Sequence, residues 1–433
     1  MTATGPTATG PDSTNGTNRI SNNGAKGDAM NFSDEFSREK CTQCGRCFEE
    51  CPVMRLPAEK AKLEIARLLN GEMTTDVLQR CTSCHSCNII CPEAANPMRL
   101  ILDTWHEQYV KEGMPSRALY FTPHNRPNFR TYALDRLPDD EKALLEKWDD
   151  DSPCREILYP GCNVITAPYL TMSKIFDGLQ IRGSLDLCCG EMYYRTGHFD
   201  ELRMVAKKLT AHFKKMGVKK MLIPCTAGRN LFTNILPRFG AKFDFEVVHL
   251  LPWLYARIKS GELKVTRPLG MTVTIHDSCH AKAFGDEFMD LPRKLLEALG
   301  ATVREQEYIR NTKLCCGIGG GFSHGSSYNP LRIILSTNRS LKSSHKPGAD
   351  AIAVYCAGCL QQMTGGQLLN PLRNIPIYHI IELVQLAIGE APKRRVRSRA
   401  MTLLAGIILK QSPKLLSPRR YRAAELERIE PLE

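Results

Sequence analysis

Two periods of apolar residues follow one another along the chain, and each predicts a different kind of element. In 57–80 and 97–114 the apolar residues recur every three or four positions, which predicts amphipathic helices, and Gly71 is expected to end the first. The residues expected to face inward are Leu63, Ile65, Ala66, Leu68 and Leu69 in the first helix and Leu100, Ile101, Trp105 and Val110 in the second. The amino-terminal part is therefore predicted to be helical.

Further along, short apolar runs alternate with helical segments and predict strands. The order of strand, helix and strand occurs twice, in 155–260 and in 272–390, so the two halves are interpreted as an internal duplication. Helices are predicted at about 199–216 and 330–342. Each half is therefore expected to form an α/β layer with its functional residues at the carboxyl ends of strands, where open sheets place their sites.

The remaining segments have compositions that favour irregular structure. Residues 1–30 are rich in Thr, Gly, Asn and Ser and lack an apolar period, so they are expected to be disordered. Residues 121–153 carry prolines and an acidic run and are interpreted as a linker. The predicted fold is multidomain, α+β and α/β. Its expected boundaries are 1–30 for the tail, 31–120 for the helical domain, 121–153 for the linker, 154–265 and 266–390 for the two half-domains, and 391–433 for a basic tail.

Composition narrows the function classes. The chain has 18 cysteines, and because it is large and repeats metal-ligand spacings, a reduced, cytoplasmic setting is expected rather than a disulfide scaffold. It has no run of about 18 apolar residues, so no membrane-spanning segment is predicted. The formal net charge is +12, and 391–433 alone carry eleven Lys/Arg against four Glu, a local charge of +7. The remainder is only mildly basic, which argues against nucleic-acid binding.

Two copies of one cysteine motif, C-x2-C-x2-C-x3-C-P, occur at 41–52 and 81–92. This spacing is the bacterial ferredoxin pattern, in which the fourth cysteine of each motif ligates the other cluster. It predicts two [4Fe-4S] clusters, and two zinc sites are the weaker alternative because zinc uses other spacings. The expected ligand sets are Cys41, Cys44, Cys47 and Cys91 for one cluster and Cys81, Cys84, Cys87 and Cys51 for the second.

A second group of cysteines lies at predicted strand ends of the carboxyl-terminal half. It consists of HDSCH at 276–280, LCCG at 314–317 and YCAGC at 355–359. Thiolates suit iron–sulfur clusters and zinc, but five of them exceed what one tetrahedral zinc ion can use, so a multi-iron cluster is predicted here. The five expected ligands, which are also the candidate catalytic residues, are Cys279, Cys315, Cys316, Cys356 and Cys359.

The amino-terminal half repeats this pattern incompletely, because Gly228 stands where the second half has Cys359. The cysteines that remain are Cys162, Cys188, Cys189 and Cys225. These four thiols could hold a smaller or altered cluster or zinc, or they could only shape the pocket.

Other residues near the five-cysteine group have two interpretations each. The glycines at 317 and 319–321 are expected to let backbone N–H groups approach a cluster, and a flexible turn is the alternative. His276 and His280 could donate a proton to a leaving thiolate, or they could only fix the loop by hydrogen bonds. The same two alternatives apply to His324 and Glu191.

The order of one cysteine, then CCG, then CxxC resembles the cysteine-rich CCG module of the heterodisulfide reductase family. The helical insert between the ferredoxin motifs resembles the α-helical ferredoxin domain of succinate dehydrogenase and heterodisulfide reductase. The resemblance covers about 35–390 and extends to iron–sulfur subunits of anaerobic glycerol-3-phosphate dehydrogenase and glycolate oxidase. It implies an α-helical ferredoxin domain with two cubane clusters, followed by two CCG half-domains, the second holding a non-cubane [4Fe-4S] cluster on its five thiols.

Two functions follow from the resemblance. The first is an oxidoreductase subunit of anaerobic metabolism, which relays electrons through two cubane clusters to the five-thiol site, where a thiol/disulfide couple is reduced or oxidised. The second is a pure electron-transfer subunit that links a flavoprotein dehydrogenase to a quinone-reactive or haem-binding membrane subunit. Both functions need redox partner subunits, and neither involves nucleic acid.

The basic tail predicts one more helix, with Ala400, Leu404, Ile407 and Ile408 on one face and basic residues at both ends. A helix of this kind can lie on a membrane surface. The alternative is that it docks on the protein's own core or on a partner subunit. The expected location is therefore the cytoplasm, with peripheral contact at the inner face of the membrane as a further expectation.

Overall fold

The computed structural model describes residues 35–321, 328–370 and 374–422. The tail predicted as disordered at 1–30 and the candidate His324 lie outside the described residues.

Helices dominate the part that contains the ferredoxin motifs. They are α1 Arg46–Glu49, α2 Ala58–Leu69, α3 Val77–Arg80, α4 Ser86–Ile90 and α5 Pro97–Glu112. Both predicted helices are therefore present, α2 ending just before Gly71 and α5 matching its predicted span closely.

The inward faces of α2 and α5 differ from the prediction at one residue each. The side chains of Leu63 and Val110 are each 49% exposed. In α2 the buried residues are Ala61, Glu64, Ile65, Leu68 and Leu69, which follow the spacing of three and four residues that defines one helical face. Leu63 lies off that face, and the prediction included it on hydrophobicity alone.

A pair of helices occupies the segment interpreted as a linker. After strand β1 Met114–Pro115 and helix α6 Ser116–Leu119 come α7 Phe129–Leu134 and α8 Asp139–Trp148. Asn128 caps α7 through a reciprocal capping box with Thr131, which explains why a helix begins there. The segment thus carries regular structure packed on the core, with Trp148 buried at its end.

Two parallel sheets form the remainder, as the strand–helix–strand pattern predicts. The first half contains β2 Glu156–Leu158, β3 Lys220–Ile223 and β4 Glu246–His249, with helices α9 Gly161–Ile165, α10 Glu191–Thr196, α11 Phe199–Met216, α12 Thr226–Asn230 and α13 Leu250–Lys259. The second half contains β5 Thr272–His276, β6 Thr302–Val303, β7 Ala351–Val354 and β8 Ile377–His379, with helices α14 Gly285–Ala298, α15 Pro330–His345, α16 Ala357–Leu369 and α17 Ile380–Ala387. The strand orders are β2-β3-β4 and β6-β5-β7-β8, and every pairing in both sheets is parallel.

The last helix, α18 Val396–Gly406, packs against α16 and α7, so it docks on the protein's own core. Its buried face is Val396, Arg399, Ala400 and Leu403, and Arg399 pairs with the buried carboxylate of Glu141. The predicted face is wrong at Ile408, whose side chain is 61% exposed. Beyond Gly406 the backbone widens into a π-helical turn, which rotates the following residues away from the core.

The chain then returns to the helical part. Strand β9 Arg420–Tyr421 pairs antiparallel with β1. Among the described residues, none of the helices combines the length and apolar character needed to cross a membrane.

Candidate metal centres

The eight cysteines of the ferredoxin motifs form two groups of four. Each group contains the first three cysteines of one motif and the fourth cysteine of the other motif. Cys41, Cys44 and Cys47 lie in and before α1, and Cys91 approaches them from the end of α4. Burial and the nearby charge of Cys91 raise the pKa of the Cys47 thiol. This outer thiol group, which consists of Cys41, Cys44, Cys47 and Cys91, includes one exposed and two half-buried side chains. It is therefore the group nearest to solvent.

The second group is buried throughout. The four side chains of this inner thiol group, Cys51, Cys81, Cys84 and Cys87, are each at most 7% exposed. All four line one small cavity, whose other walls include Phe48, Met98 and Ile101. The structure thus brings together the cysteines predicted to share each cluster, and leaves a space among the inner four.

The five cysteines of the second half meet at the carboxyl ends of β5 and β7, where the prediction placed them. We call Cys279, Cys315, Cys316, Cys356 and Cys359 the complete set. Cys279 donates a hydrogen bond to Cys315, and both Cys315 and Cys359 donate to Cys316. These hydrogen bonds, with a further one from the backbone N–H of Ile318, lower the pKa of Cys316 to about 5. The Cys316 sulfur is therefore the acceptor on which these hydrogen bonds converge.

One cysteine of the first half joins the complete set. The Cys225 thiol, at the end of β3, donates a hydrogen bond to Cys356, and Cys359 donates to the same sulfur. Together they hold the pKa of Cys356 well below its ordinary value. The two halves are thus connected sulfur to sulfur.

The other three thiols of the first half, Cys162, Cys188 and Cys189, form a separate chain of hydrogen bonds. With Cys225 they make up the incomplete set. Cys162 donates to Cys188, which donates to Cys189. Beside them lies Arg130, which is only 4% exposed and whose Nε and Nη1 atoms have no hydrogen-bond partner among the described residues. The sequence analysis did not single out Arg130, because it comes from the segment interpreted as a linker.

The position of the missing fifth cysteine is partly occupied by a neighbouring side chain. A Cβ atom on Gly228 would lie 2.6 Å from Cδ1 of Ile223. A side chain at this position would therefore require Ile223 to move. The first half is built around four cysteines rather than five.

A buried polar network separates the inner thiol group from the complete set. Arg195, on α10, places Nη2 3.7 Å from Sγ of Cys279 and Nη1 4.0 Å from Sγ of Cys315. The same guanidinium donates to the carbonyl oxygen of Thr82 (3.2 Å) and the hydroxyl of Ser83 (3.3 Å), in the loop between Cys81 and Cys84. Arg195 thus contacts both sites, and the sequence analysis missed it because no motif contains it.

Two candidates from the sequence, Glu191 and His280, belong to this network. Nε2 of His280 lies 3.0 Å from Oε1 of Glu191, and Nδ1 lies 3.0 Å from the side-chain nitrogen of Asn230. Burial raises the pKa of Glu191, but Arg195 and the hydrogen bond from His280 outweigh it, so the carboxyl stays ionised. Both residues are held by hydrogen bonds, which favours the loop-fixing alternative for His280.

His276 and Lys282 are also fixed by buried contacts. Nδ1 of His276 lies 3.3 Å from the Ser340 hydroxyl, and burial holds the pKa of this imidazole well below its ordinary value. The ammonium of Lys282 donates to the carbonyl oxygens of Cys84 (2.9 Å) and Lys313 (3.0 Å). His276 is therefore neutral, and Lys282 is a second buried tie between the two sites.

The glycines after Cys316 permit close approach of the backbone. A Cβ on Gly317, whose φ is +116°, would meet Thr337, and one on Gly319 would lie 2.1 Å from the carbonyl oxygen of Thr82. The run therefore packs tightly between α15 and the loop of the inner thiol group, which disfavours the flexible turn, while the approach of its N–H groups to a cluster stays a prediction.

The donor sets fit thiolate-ligated iron–sulfur groups better than single ions. Within the described ranges, no three His, Cys, Asp or Glu side chains are arranged to hold one metal ion. The sulfur atoms instead hydrogen-bond in successive pairs, as in Cys279–Cys315 and Cys316–Cys359. Soft thiolates in buried pockets are the ligands that iron–sulfur clusters require.

Comparison with known proteins agrees with this chemistry. Residues 37–95 match the family model of the 4Fe-4S dicluster domain, and 158–228 and 273–364 match the model of the cysteine-rich CCG domain. The matched ranges contain the outer and inner thiol groups, the incomplete set and the complete set.

Relatives align over most of the chain. One subunit of the dihydromethanophenazine:CoB–CoM heterodisulfide reductase of Methanosarcina mazei is 26% identical over 399 residues, covering 81% of this chain and 94% of the relative. The EtfAB:quinone oxidoreductase of Syntrophomonas wolfei is 24% identical over 77% of this chain, which spans 56% of that protein. One subunit of the fumarate reductase (CoM/CoB) of Methanothermobacter marburgensis is 22% identical over 83% of this chain and 74% of its own length. The chain thus carries a 4Fe-4S dicluster domain and two cysteine-rich CCG domains, and it is similar over most of its length to a heterodisulfide reductase subunit and to other iron–sulfur oxidoreductases.

Proposed function

We propose that the chain is an electron-transferring oxidoreductase subunit with two [4Fe-4S] clusters on the outer and inner thiol groups and a non-cubane [4Fe-4S] cluster on the complete set. Residues 31–120 form its α-helical ferredoxin domain, and 154–265 and 266–390 its two CCG half-domains. The observation that carries the proposal is the direct tie between the inner group and the complete set, through Arg195 and Lys282. Iron–sulfur clusters supply one-electron carriers at such sites.

The exposure of the thiols indicates at which end of the proposed electron-transfer route a redox partner would bind. The outer group includes the exposed Cys44, so a redox partner has access there. The inner group is enclosed by apolar side chains such as Phe48 and Ile101, which exclude water. Electrons exchanged with a partner at the outer end would thus be insulated from solvent at the inner group.

The proposed reaction at the complete set is the interconversion of a disulfide and two thiols. Reduction breaks one S–S bond, consumes two electrons and two protons, and gives two thiols; the electrons come singly from a redox partner through the ferredoxin domain. The five cysteines of the complete set would hold the cluster as thiolates, and the cluster would supply the electrons one at a time.

The relay function is the second candidate. Here the complete set passes electrons to a quinone-reactive or haem-binding membrane subunit, and a flavoprotein supplies them. The similarity to an EtfAB:quinone oxidoreductase favours this alternative.

Iron analysis and EPR of anaerobically purified protein test the proposal. We expect about 12 irons per chain for two cubanes and one four-iron site, and about 16 if the incomplete set also holds a four-iron cluster. Addition of a substrate thiol to the oxidised protein should produce a new paramagnetic state at the complete set. Its absence with every thiol tested would favour the relay, and a zinc-only protein would contradict both.

The exposed apolar and basic residues of the carboxyl-terminal tail support a peripheral membrane contact. Ile408 and Leu409 are each 61% exposed and Leu416 is 95% exposed. The exposed Lys410 and Arg419 lie in the same segment. Apolar side chains among basic ones bind anionic lipid surfaces.

Replacement of Ile408 and Leu409 by Ser should reduce flotation with anionic liposomes several-fold. These residues do not contribute to the core face of α18, so the fold should survive. The matched control replaces Val110 and Met204, which are 49% and 51% exposed. Equal flotation of both variants and of the unmodified protein would remove the membrane contact and leave docking of α18 as the role of the tail.

A further inference from the structure

Residues of the first half contribute to the surroundings of the complete set, whose five cysteines all belong to the second half. Arg195, Glu191, Asn230 and Cys225 all come from the first half, and each contacts the complete set or the adjacent His280. The contacts cross large separations along the chain: 120 residues separate Arg195 from Cys315. The complete set is therefore finished by the neighbouring half.

Among these residues Arg195 carries the positive charge. Its guanidinium is 4% exposed and reaches two sulfur atoms of the complete set. Lys282, another buried cation nearby, directs its ammonium at backbone carbonyl oxygens instead. Oε1 of Glu191 accepts a hydrogen bond from Nε of Arg195 at 2.7 Å and compensates part of the positive charge. The same oxygen also contacts Nε2 of His280.

The position of Arg195 is closely defined. Nε donates to Glu191 and Nη1 to Thr82 and Ser83, while a Cβ on Gly319 would lie 2.7 Å from Nη1. The charge is thus locked between the loop of the inner thiol group and the sulfur atoms of the complete set. A locked charge in a buried site acts far more strongly than a solvated one.

We propose that Arg195 is a positioning residue that raises the reduction potential of the complete set and aligns this set with the inner thiol group. Reduction adds one electron, hence one negative charge, to the thiolate-bound site. A fixed cation stabilises the reduced form more than the oxidised form, so the potential rises. The inference rests on the proposed function, since it requires a redox-active group on the complete set.

The test is a redox titration of the anaerobically purified protein, followed by EPR. The variant replaces Arg195 by Met and Glu191 by Gln together, so that no buried carboxylate loses its partner. The single variant Glu191→Gln, which removes only the negative charge, measures the opposing effect of the carboxylate and is subtracted. We expect the reduction equilibrium of the complete set to shift about tenfold towards the oxidised form, which is a fall of about 59 mV for one electron. The signal of the outer thiol group serves as the internal reference and should stay unchanged.

A matched control separates the electrostatic effect from general damage. Arg399 is likewise buried at 5% exposure and pairs with the buried Glu141, on the face of α18 that packs on α16. Replacing Arg399 by Met and Glu141 by Gln removes an equivalent buried pair away from the complete set. This control should leave the potential of the complete set unchanged.

The conservative variant Arg195→Lys retains a charge without the planar fork. Its potential should lie between those of the unmodified protein and the Met/Gln variant. If the Met/Gln variant keeps its iron and its potential equals that of the unmodified protein, the role of Arg195 is overturned. A complete set without any redox signal in the unmodified protein would instead overturn the proposed function itself.

Discussion

Replacing Cys316 by Ser is expected to remove the iron of the complete set, about four atoms per chain, and to leave the two ferredoxin-type clusters in place. Thiol/disulfide turnover should fall by more than about 100-fold, since even changes behind metal ligands cost about 10- to 100-fold. The physical reason is that the Cys316 sulfur accepts hydrogen bonds from Cys315 and Cys359, which lower its pKa and favour the thiolate form that binds iron. A Ser hydroxyl is a poor ligand for iron and remains protonated in the same place.

The matched control is Cys154→Ser. Cys154 is half-buried, and its thiol contacts the carbonyl oxygen of Glu156 at 3.3 Å. This variant should retain the iron content and the activity of the unmodified protein. If Cys316→Ser retained about 12 irons per chain, or if Cys154→Ser lost as many as Cys316→Ser, the assignment of the complete set would be wrong.

Local patterns in the sequence predicted the elements that carry the cysteines. Helix α11 occupies the predicted residues, Phe199–Met216, because its apolar period is long and unbroken. Strands β5 and β7 are short apolar runs that end just before Cys279 and Cys356, and both lie in a parallel sheet as expected. Motif spacing likewise predicted which cysteines would meet, because three ligands of each ferredoxin group are neighbours in sequence.

Contacts between distant segments could not be predicted in this way. Arg130 lies next to Cys162 and Arg195 next to Cys279, yet neither arginine belongs to a motif or to a helical apolar face. A single sequence contains no signal for such a pairing, since the partners approach only when separate elements pack. The tail is a second example of a feature that the sequence did not predict. The helix widens into a π-helical turn after Gly406, and Ile408 is exposed there.

The complete and incomplete cysteine sets differ in whether the arginine beside them is paired with a carboxylate. At the complete set, Arg195 faces Cys279 and Cys315 and is paired with Glu191. At the incomplete set, Arg130 faces Cys162, Cys188 and Cys189, and its Nε and Nη1 have no hydrogen-bond partner within the described residues. A buried cation of this kind is stabilised when the thiols beside it ionise. This favours the alternative in which the incomplete set carries a negative, thiolate-bound group over one in which it only shapes the pocket.

The second prediction with a large effect concerns the fourth cysteine of each ferredoxin motif, which is expected to bind the cluster of the other motif. Cys51→Ser should remove the same cluster as Cys81→Ser, although Cys51 belongs to the first motif. Cys91→Ser should remove the same cluster as Cys41→Ser, although Cys91 belongs to the second. Iron content and the EPR signals of the four single variants, each purified without oxygen, measure this directly.

The two pairs should also differ in stability. Cys51 and Cys81 line the enclosed cavity of the inner thiol group, whereas Cys41 and Cys91 are half-buried at the outer group. Loss of a metal group from a core is among the few changes that cost more than about 4 kcal/mol of unfolding free energy. Thermal unfolding should therefore shift further for Cys51→Ser and Cys81→Ser than for Cys41→Ser and Cys91→Ser. If Cys51→Ser instead matched Cys41→Ser in both its EPR signal and its melting temperature, each motif would hold its own cluster and the exchange would be refuted.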